Sequence, residues 1–130
     1  MAKRVTRIGR YRVEDGSTLK SGDDELTLHE LAGYQRRAAR TVLREVRPVE
    51  PEVLRYARKT IGFTQEDVAQ VLGITPETVS RWETGSEPFK PAIQFALADL
   101  VDMFERQGGP EGVMKAIAPG KAATITLKAS

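Results

Sequence analysis

From about Thr27 to Arg47 the apolar residues Leu28, Leu31, Ala38, Val42 and Val46 recur on one face of a 3.6-residue repeat, with Ala39 and Leu43 beside them. That pattern predicts a long amphipathic helix. Before it, Arg4 to Val13 places Val5, Ile8, Tyr11 and Val13 among basic residues, which predicts a strand with imperfect alternation. Glu14-Asp15-Gly16-Ser17 supplies a turn signal and Ser21 to Asp24 a second polar loop. Pro48 and Pro51 mark a linker, because each pushes the residue before it out of the α region. Four helices are then expected, over about Glu52–Ile61, Gln65–Leu72, Pro76–Thr84 and Pro91–Arg106. A short helix near Glu111–Ile117 follows Gly108-Gly109-Pro110. A last strand over Ala122–Leu127 is placed to pair with the N-terminal one.

The middle helices carry their own punctuation. Thr64 is set to cap the second of the four, and Asp67, three residues on, completes a capping box. Gly73 ends that helix, where a residue without a Cβ takes a left-handed conformation easily. Thr75 caps the next helix. Pro76 fills its first position, where a missing N–H costs nothing, and Gly85 closes it. Two short capped helices joined by a three-residue turn containing Gly have the geometry of a DNA-binding helix-turn-helix. Val68, Ala69, Leu72, Ile74, Val79 and Trp82 are spaced to pack the pair together, with Ala69 small where the second helix crosses. Glu77, Thr78, Ser80 and Arg81 remain for the outer face, at the end that a groove-binding helix presents to base edges.

Composition narrows the chemistry. With 130 residues, 40% hydrophobic and 29% charged, the chain suits one globular core with an appended arm. It has no Cys and one His, His29, which excludes disulfides, thiolate zinc sites, cysteine nucleophiles and multi-histidine metal sites. His29 reads as a surface residue at a helix start, and neither a metal nor another cofactor is expected. No phosphate loop and no framed carboxylate pair supports an enzyme. No apolar run reaches 18 residues, and the basic start MAKRVTRIGR has no apolar stretch behind it, so an intracellular, cytoplasmic protein is expected. The net charge of +2 is unevenly spread: residues 1–47 carry +4, 48–107 carry −4 and 108–130 carry +2.

The stretch FTQEDVAQVLGITPETVSRWETG resembles the Cro and lambda-repressor class of helix-turn-helix proteins, the XRE family. It has a Gln opening the second helix, Ala-x-x-x-Gly, a β-branched residue after the Gly, and an aromatic-Glu-x-Gly close. The resemblance covers residues 52–106. It implies a mainly α fold, a lambda-repressor-like helix-turn-helix bundle over 48–107. Residues 1–47 would add a strand–helix extension and the 108–130 tail a short C-terminal strand. It implies double-stranded DNA as the partner, with a homodimer presenting two recognition helices to an inverted-repeat operator. Gln65 falls at the family's phosphate-contacting position. The family pattern also places Arg58 and Glu83 where the first and third helices of the unit should meet as an ion pair. Upstream, ELAGYQRRAARTVLREVRPVEPEVLRYARKTIGFTQ is similar to the linker and first helix of zinc-finger/XRE antitoxins of the MqsA type, although no cysteine is present to build that zinc finger. That similarity implies a second reading, in which the N-terminal region neutralises a toxin partner and DNA binding serves autoregulation.

Each candidate has a plainer alternative. Arg81 is placed to contact guanine bidentately, against simple solvation on a helix. Glu77 could accept from a cytosine amino group or complement the helix dipole. Gln65, Thr75, Pro76, Glu77, Thr78, Ser80 and Arg81 form the expected DNA-facing set. Trp82 reads as core. The basic residues Lys3, Arg4, Arg7, Arg10 and Arg12 are either an arm for phosphates or the minor groove, or an outward strand face. The helix over 91–106 is apolar on several faces, including Phe95, Val101 and Phe104. A second subunit or the helix upstream would cover it.

Overall fold

The computed structural model describes residues 4–15 and 28–118. A hairpin of β1 (Arg4–Ile8) and β2 (Tyr11–Asp15) precedes six helices: α1 (Leu28–Glu45), α2 (Pro51–Thr60), α3 (Gln65–Leu72), α4 (Pro76–Thr84), α5 (Pro91–Gln107) and α6 (Pro110–Ile117). The fold is mainly helical, as the hydrophobic periodicity predicts. The segment expected as a single strand over 4–13 is instead two antiparallel strands in the register Ile8 to Tyr11, Arg7 to Arg12 and Val5 to Glu14. Gly9 makes the difference. Its φ of +57° turns the chain within two residues, as a positive φ at the first loop position does in tight hairpins. Ile8 is then buried while Val5 stays exposed. The expected strand over 122–127 lies outside the described residues.

Pro51 is not part of the linker. It begins α2, where its fixed φ is compatible with the first helical turn. The other boundaries follow their caps. Thr64 and Asp67 exchange the two bonds of a capping box, Asp67 N to Thr64 Oγ1 at 3.0 Å and Thr64 N to Asp67 Oδ2 at 2.9 Å. Gly73 ends α3 in the left-handed region, and the Ile74 N–H returns to the Ala69 carbonyl at 3.0 Å.

One hydrophobic core joins these elements. α1 contributes Ala38, Ala39, Val42 and Leu43; α2 contributes Val53, Leu54 and Ala57; α5 contributes Leu97, Ala98, Leu100 and Val101. Ile8 of the hairpin and Val113 of α6 belong to the same cluster. The helix expected to be apolar on several faces is therefore enclosed by its own chain on several sides. α1, α2 and α6 all pack against α5. Val101 is buried, while Phe95 and Phe104 are half-covered, each with an arginine over its ring: Arg47 on Phe95 and Arg36 on Phe104.

Two devices fix α1 on α5. Gln94 is fully buried at the α1–α2 connection. Its Oε1 accepts from Val49 N at 3.1 Å, and its Nε2 donates to the carbonyls of Leu43 at 3.1 Å and Val46 at 2.7 Å. It thus satisfies carbonyls that the end of α1 leaves without helical partners. The second device is a ladder of ion pairs. Arg36, Arg40 and Arg44 recur every four residues on α1. They meet Glu105 at 2.9 Å, Asp102 at 2.8 Å, and both Asp99 at 3.0 Å and Asp102 at 2.6 Å. The pairing runs in reverse order, so the two helices lie antiparallel.

Candidate nucleic-acid interface

α3 and α4 are each too short to be stable alone. They hold their shape because both ends are capped and because Val68, Ala69 and Val79 are buried between them. Leu72, Ile74 and Trp82 pack partly buried at the margin. The cavity beneath Trp82, lined by Leu54, Val68, Leu72, Val79 and Ile93 among others, is about 20 Å³. That is room for about one water and no larger ligand.

The join between α2 and α4 is ionic. Arg58 Nε lies 2.7 Å from Glu83 Oε2 and Arg58 Nη2 lies 2.9 Å from Glu83 Oε1, a bidentate pair. The side chains are only 10% and 4% exposed. Arg58 Nη1 also donates to the Phe63 carbonyl at 2.8 Å, tying the same guanidinium to the loop before α3. Gln65 completes the group: its Nε2 donates to Glu83 Oε1 at 3.1 Å. Three elements of the helix-turn-helix are therefore referenced to one carboxylate. The pair sets how α4 projects, and Gln65, at the first residue of α3, is held by the same network.

Along α4 the outward residues differ in what they have left to offer. Thr75 Oγ1 accepts from Thr78 N at 3.2 Å and lies 2.9 Å from Thr78 Oγ1. Pro76 occupies the first turn and has no N–H. Ser80 is half-buried, while Glu77 and Arg81 are exposed. At the far end the Thr84 hydroxyl donates to the Arg81 carbonyl at 3.3 Å and lies 2.9 Å from Ser86 Oγ. The loop into α5 is held there by Glu87 N donating to the Arg81 carbonyl at 3.2 Å.

The basic residues expected as an arm have a different setting. Lys3 lies outside the described residues, and Arg4, Arg7, Arg10 and Arg12 belong to the hairpin. Arg10 pairs with Glu50 at 2.9 Å and Arg12 with Glu14 at 3.3 Å. Arg7 is exposed. Much of the positive charge of the N-terminal region is likewise engaged, since the α1 arginines face the carboxylates of α5. Burial pushes the Asp102 carboxyl up, but hydrogen bonds from Arg40 and Arg44, reinforced by their charge, outweigh it and hold the carboxyl below its ordinary value. The hydrogen bonds that Arg44 donates, chiefly to Asp102 and then to Asp99, raise its guanidinium.

Sequence reasoning missed Gln94 and the arginine ladder. The signals were present: a lone polar residue, Gln94, in the apolar first half of α5, and arginines every four residues on α1 opposite acids every three on α5. Among the described residues no group of three or more His, Asp or Glu side chains converges as a metal site. None of the described helices is long and apolar enough to cross a membrane.

Residues 54–99 match the family model described as helix-turn-helix. The matched segment runs from α2 through the first half of α5 and contains the whole α3–α4 unit. It supports a DNA-binding helix-turn-helix regulator. No curated protein and no solved structure matches the chain.

Proposed function

We propose that this protein is a sequence-specific double-stranded DNA-binding transcriptional regulator that reads the major groove with α4. The carrying observation is the α3–α4 unit itself. Two capped helices are tied to α2 by a buried Arg58–Glu83 pair that Gln65 of α3 joins, and α4 presents exposed polar side chains along its outer face. Glu77, Thr78, Ser80 and Arg81 face the bases, and Thr75 and Pro76 set the start of the helix. Gln65 meets phosphate at the positive end of α3. Arg7 and Arg10 of the hairpin add contacts to the flanking backbone, with Arg10 exchanging Glu50 for a phosphate. The regulator acts as a homodimer on an inverted repeat and represses by occupying it.

Selection of bound duplexes from a random pool tests this reading. An enriched inverted repeat, with two chains per duplex by light scattering, is the expected result. Retention of all sequences alike refutes sequence-specific reading, and one chain per duplex refutes the dimer.

A second reading has its own observation. Val5 of the hairpin and Leu31 of α1 are exposed apolar residues on elements outside the helix-turn-helix unit. In that reading the N-terminal region binds and neutralises a toxin protein. Co-purification of a companion protein that depends on Val5 and Leu31 would select it.

A further inference from the structure

A side chain can read a base only with hydrogen-bonding groups that the protein has not already engaged. This condition sorts the outward residues of α4. The hydroxyls of Thr75 and Thr78 bond each other, which leaves one free proton between them, and the Thr84 hydroxyl is partly taken up by the Arg81 carbonyl and Ser86. Ser80 is half-buried, and its hydroxyl is short. Glu77 and Arg81 are the exposed charged side chains of α4. Neither makes an ion pair or a side-chain hydrogen bond among the described residues. They lie four residues apart on one helical face, about 6 Å along the axis. Base pairs stack about 3.4 Å apart, so the two side chains address positions no more than about two steps apart.

From these two side chains we infer the base composition of the half-site: a guanine opposite Arg81 and a cytosine amino group opposite Glu77, within about two steps of each other. The inference rests on the reading of this chain as a sequence-specific DNA binder and adds what it selects. A guanidinium pairs bidentately with the O6 and N7 acceptors of guanine. A carboxylate only accepts, so it needs a donor with no acceptor beside it. Cytosine offers N4 in the major groove with no acceptor on the same base beside it. Adenine sets its N7 acceptor next to N6, and guanine and thymine meet a carboxylate with acceptors. Glu77 therefore works as much by rejection as by attraction. A negative charge near phosphates is unfavourable at every site, and only cytosine offsets it well. Replacing the carboxylate by an amide reverses the choice, because an amide donates to N7 and accepts from N6 of adenine.

The test is selection from a random duplex pool at fixed salt, run in parallel with the full-length wild type, Glu77→Gln, Glu77→Ala and Arg81→Ala. Wild type should enrich a guanine column and a cytosine column within about two steps. Glu77→Gln should turn the cytosine column to adenine and leave the guanine column unchanged. Glu77→Ala should flatten the cytosine column without gaining adenine, which keeps the test decisive if the amide variant fails to fold. Arg81→Ala should flatten the guanine column alone. On single duplexes, exchanging the favoured base should change wild-type affinity by about 5- to 150-fold. A cytosine column that persists in both Glu77 variants, or wild-type columns of A·T pairs at the positions these variants alter, overturns the inference and leaves the DNA-binding reading standing. A wild-type pool with no enriched sequence overturns both. A Glu77 that only complements the helix dipole would lower the unfolding midpoint in both variants and leave every column unchanged.

Discussion

The α3–α4 unit and the α1–α5 seam are both held by arginine–carboxylate pairs, yet the pairs serve opposite ends. In the first, one bidentate pair is nearly sealed from water, with Glu83 4% exposed, and it fixes the angle of α4 on α2. In the second, several pairs grade from the buried Arg36, its side chain 10% exposed, to an open edge where the Arg44 side chain is 40% and Asp99 67% exposed, alongside the hydrophobic core. A buried pair is not automatically stabilising, because desolvation offsets its attraction, but removing one partner strands a charge. An exposed pair gains little and loses little. The location of a pair, and not its length, therefore decides what depends on it.

The sharpest way to break the contrast is at Glu83. Glu83→Gln should cost about 3–5 kcal/mol, the scale for breaking a buried pair on one side. It should weaken DNA affinity as well, although Glu83 is assigned no DNA contact, because Arg58, Phe63 and Gln65 all lose their reference point. Urea titration and binding isotherms on one protein batch check both. A Glu83→Gln protein as stable as wild type would remove the pair from the account. Next in size, Gln94→Leu keeps the volume of the buried side chain but leaves Val49 N–H and the Leu43 and Val46 carbonyls without it. Each group left unsatisfied costs about 1–3 kcal/mol, less where the connection relaxes toward water. Because the change lies at the α1–α2 connection, the variant should lose stability while its affinity per folded molecule stays close to wild type. An equal loss of affinity would show that α1 and α4 are more tightly coupled than the contrast allows.

At the seam the effects should be smaller. Arg44→Ala should change stability by no more than about 1 kcal/mol, with the difference shrinking at high salt. Asp102 adds a pH signature. Its carboxyl is held below the ordinary value, so its contribution is present at neutral pH and is lost as pH falls through the carboxylate range. Asp102→Asn should therefore be less stable than wild type at neutral pH, and the gap should close on acidification. Urea midpoints at a series of pH values measure it. A gap that widens toward acid would contradict the ladder.

The same two regions differ in how openly the sequence declares them. The bounds of α3 and α4 follow from residues that act locally: Thr64 with Asp67, Gly73, Thr75 with Pro76, and Gly85. A cap needs only its own turn, so its meaning survives without knowledge of the rest of the fold. The hairpin was less legible. Its turn rests on Gly9 alone, and the alternation of Val5, Ile8, Tyr11 and Val13 resumes beyond it closely enough to read as one strand. Pro51 was ambiguous by nature, since the same ring ends one segment and begins another. The seam was least legible because its meaning depends on a partner far along the chain. Gln94 bonds Leu43 across 51 residues, and Arg36 meets Glu105 across 69. At the interface, the pattern gave the outward set on α4, but which members remain uncommitted depended on hydroxyl pairings that spacing does not reveal.

The central claim is that α4 reads bases and does not merely rest on the backbone. The most direct measurement compares binding isotherms of wild type and Arg81→Ala on the selected duplex and on a scrambled duplex of equal length at one salt concentration. The account predicts a loss of about 1–3 kcal/mol on the selected duplex and a much smaller loss on the scrambled one. Equal losses on both would mean that Arg81 touches only phosphate, and the claim would fail.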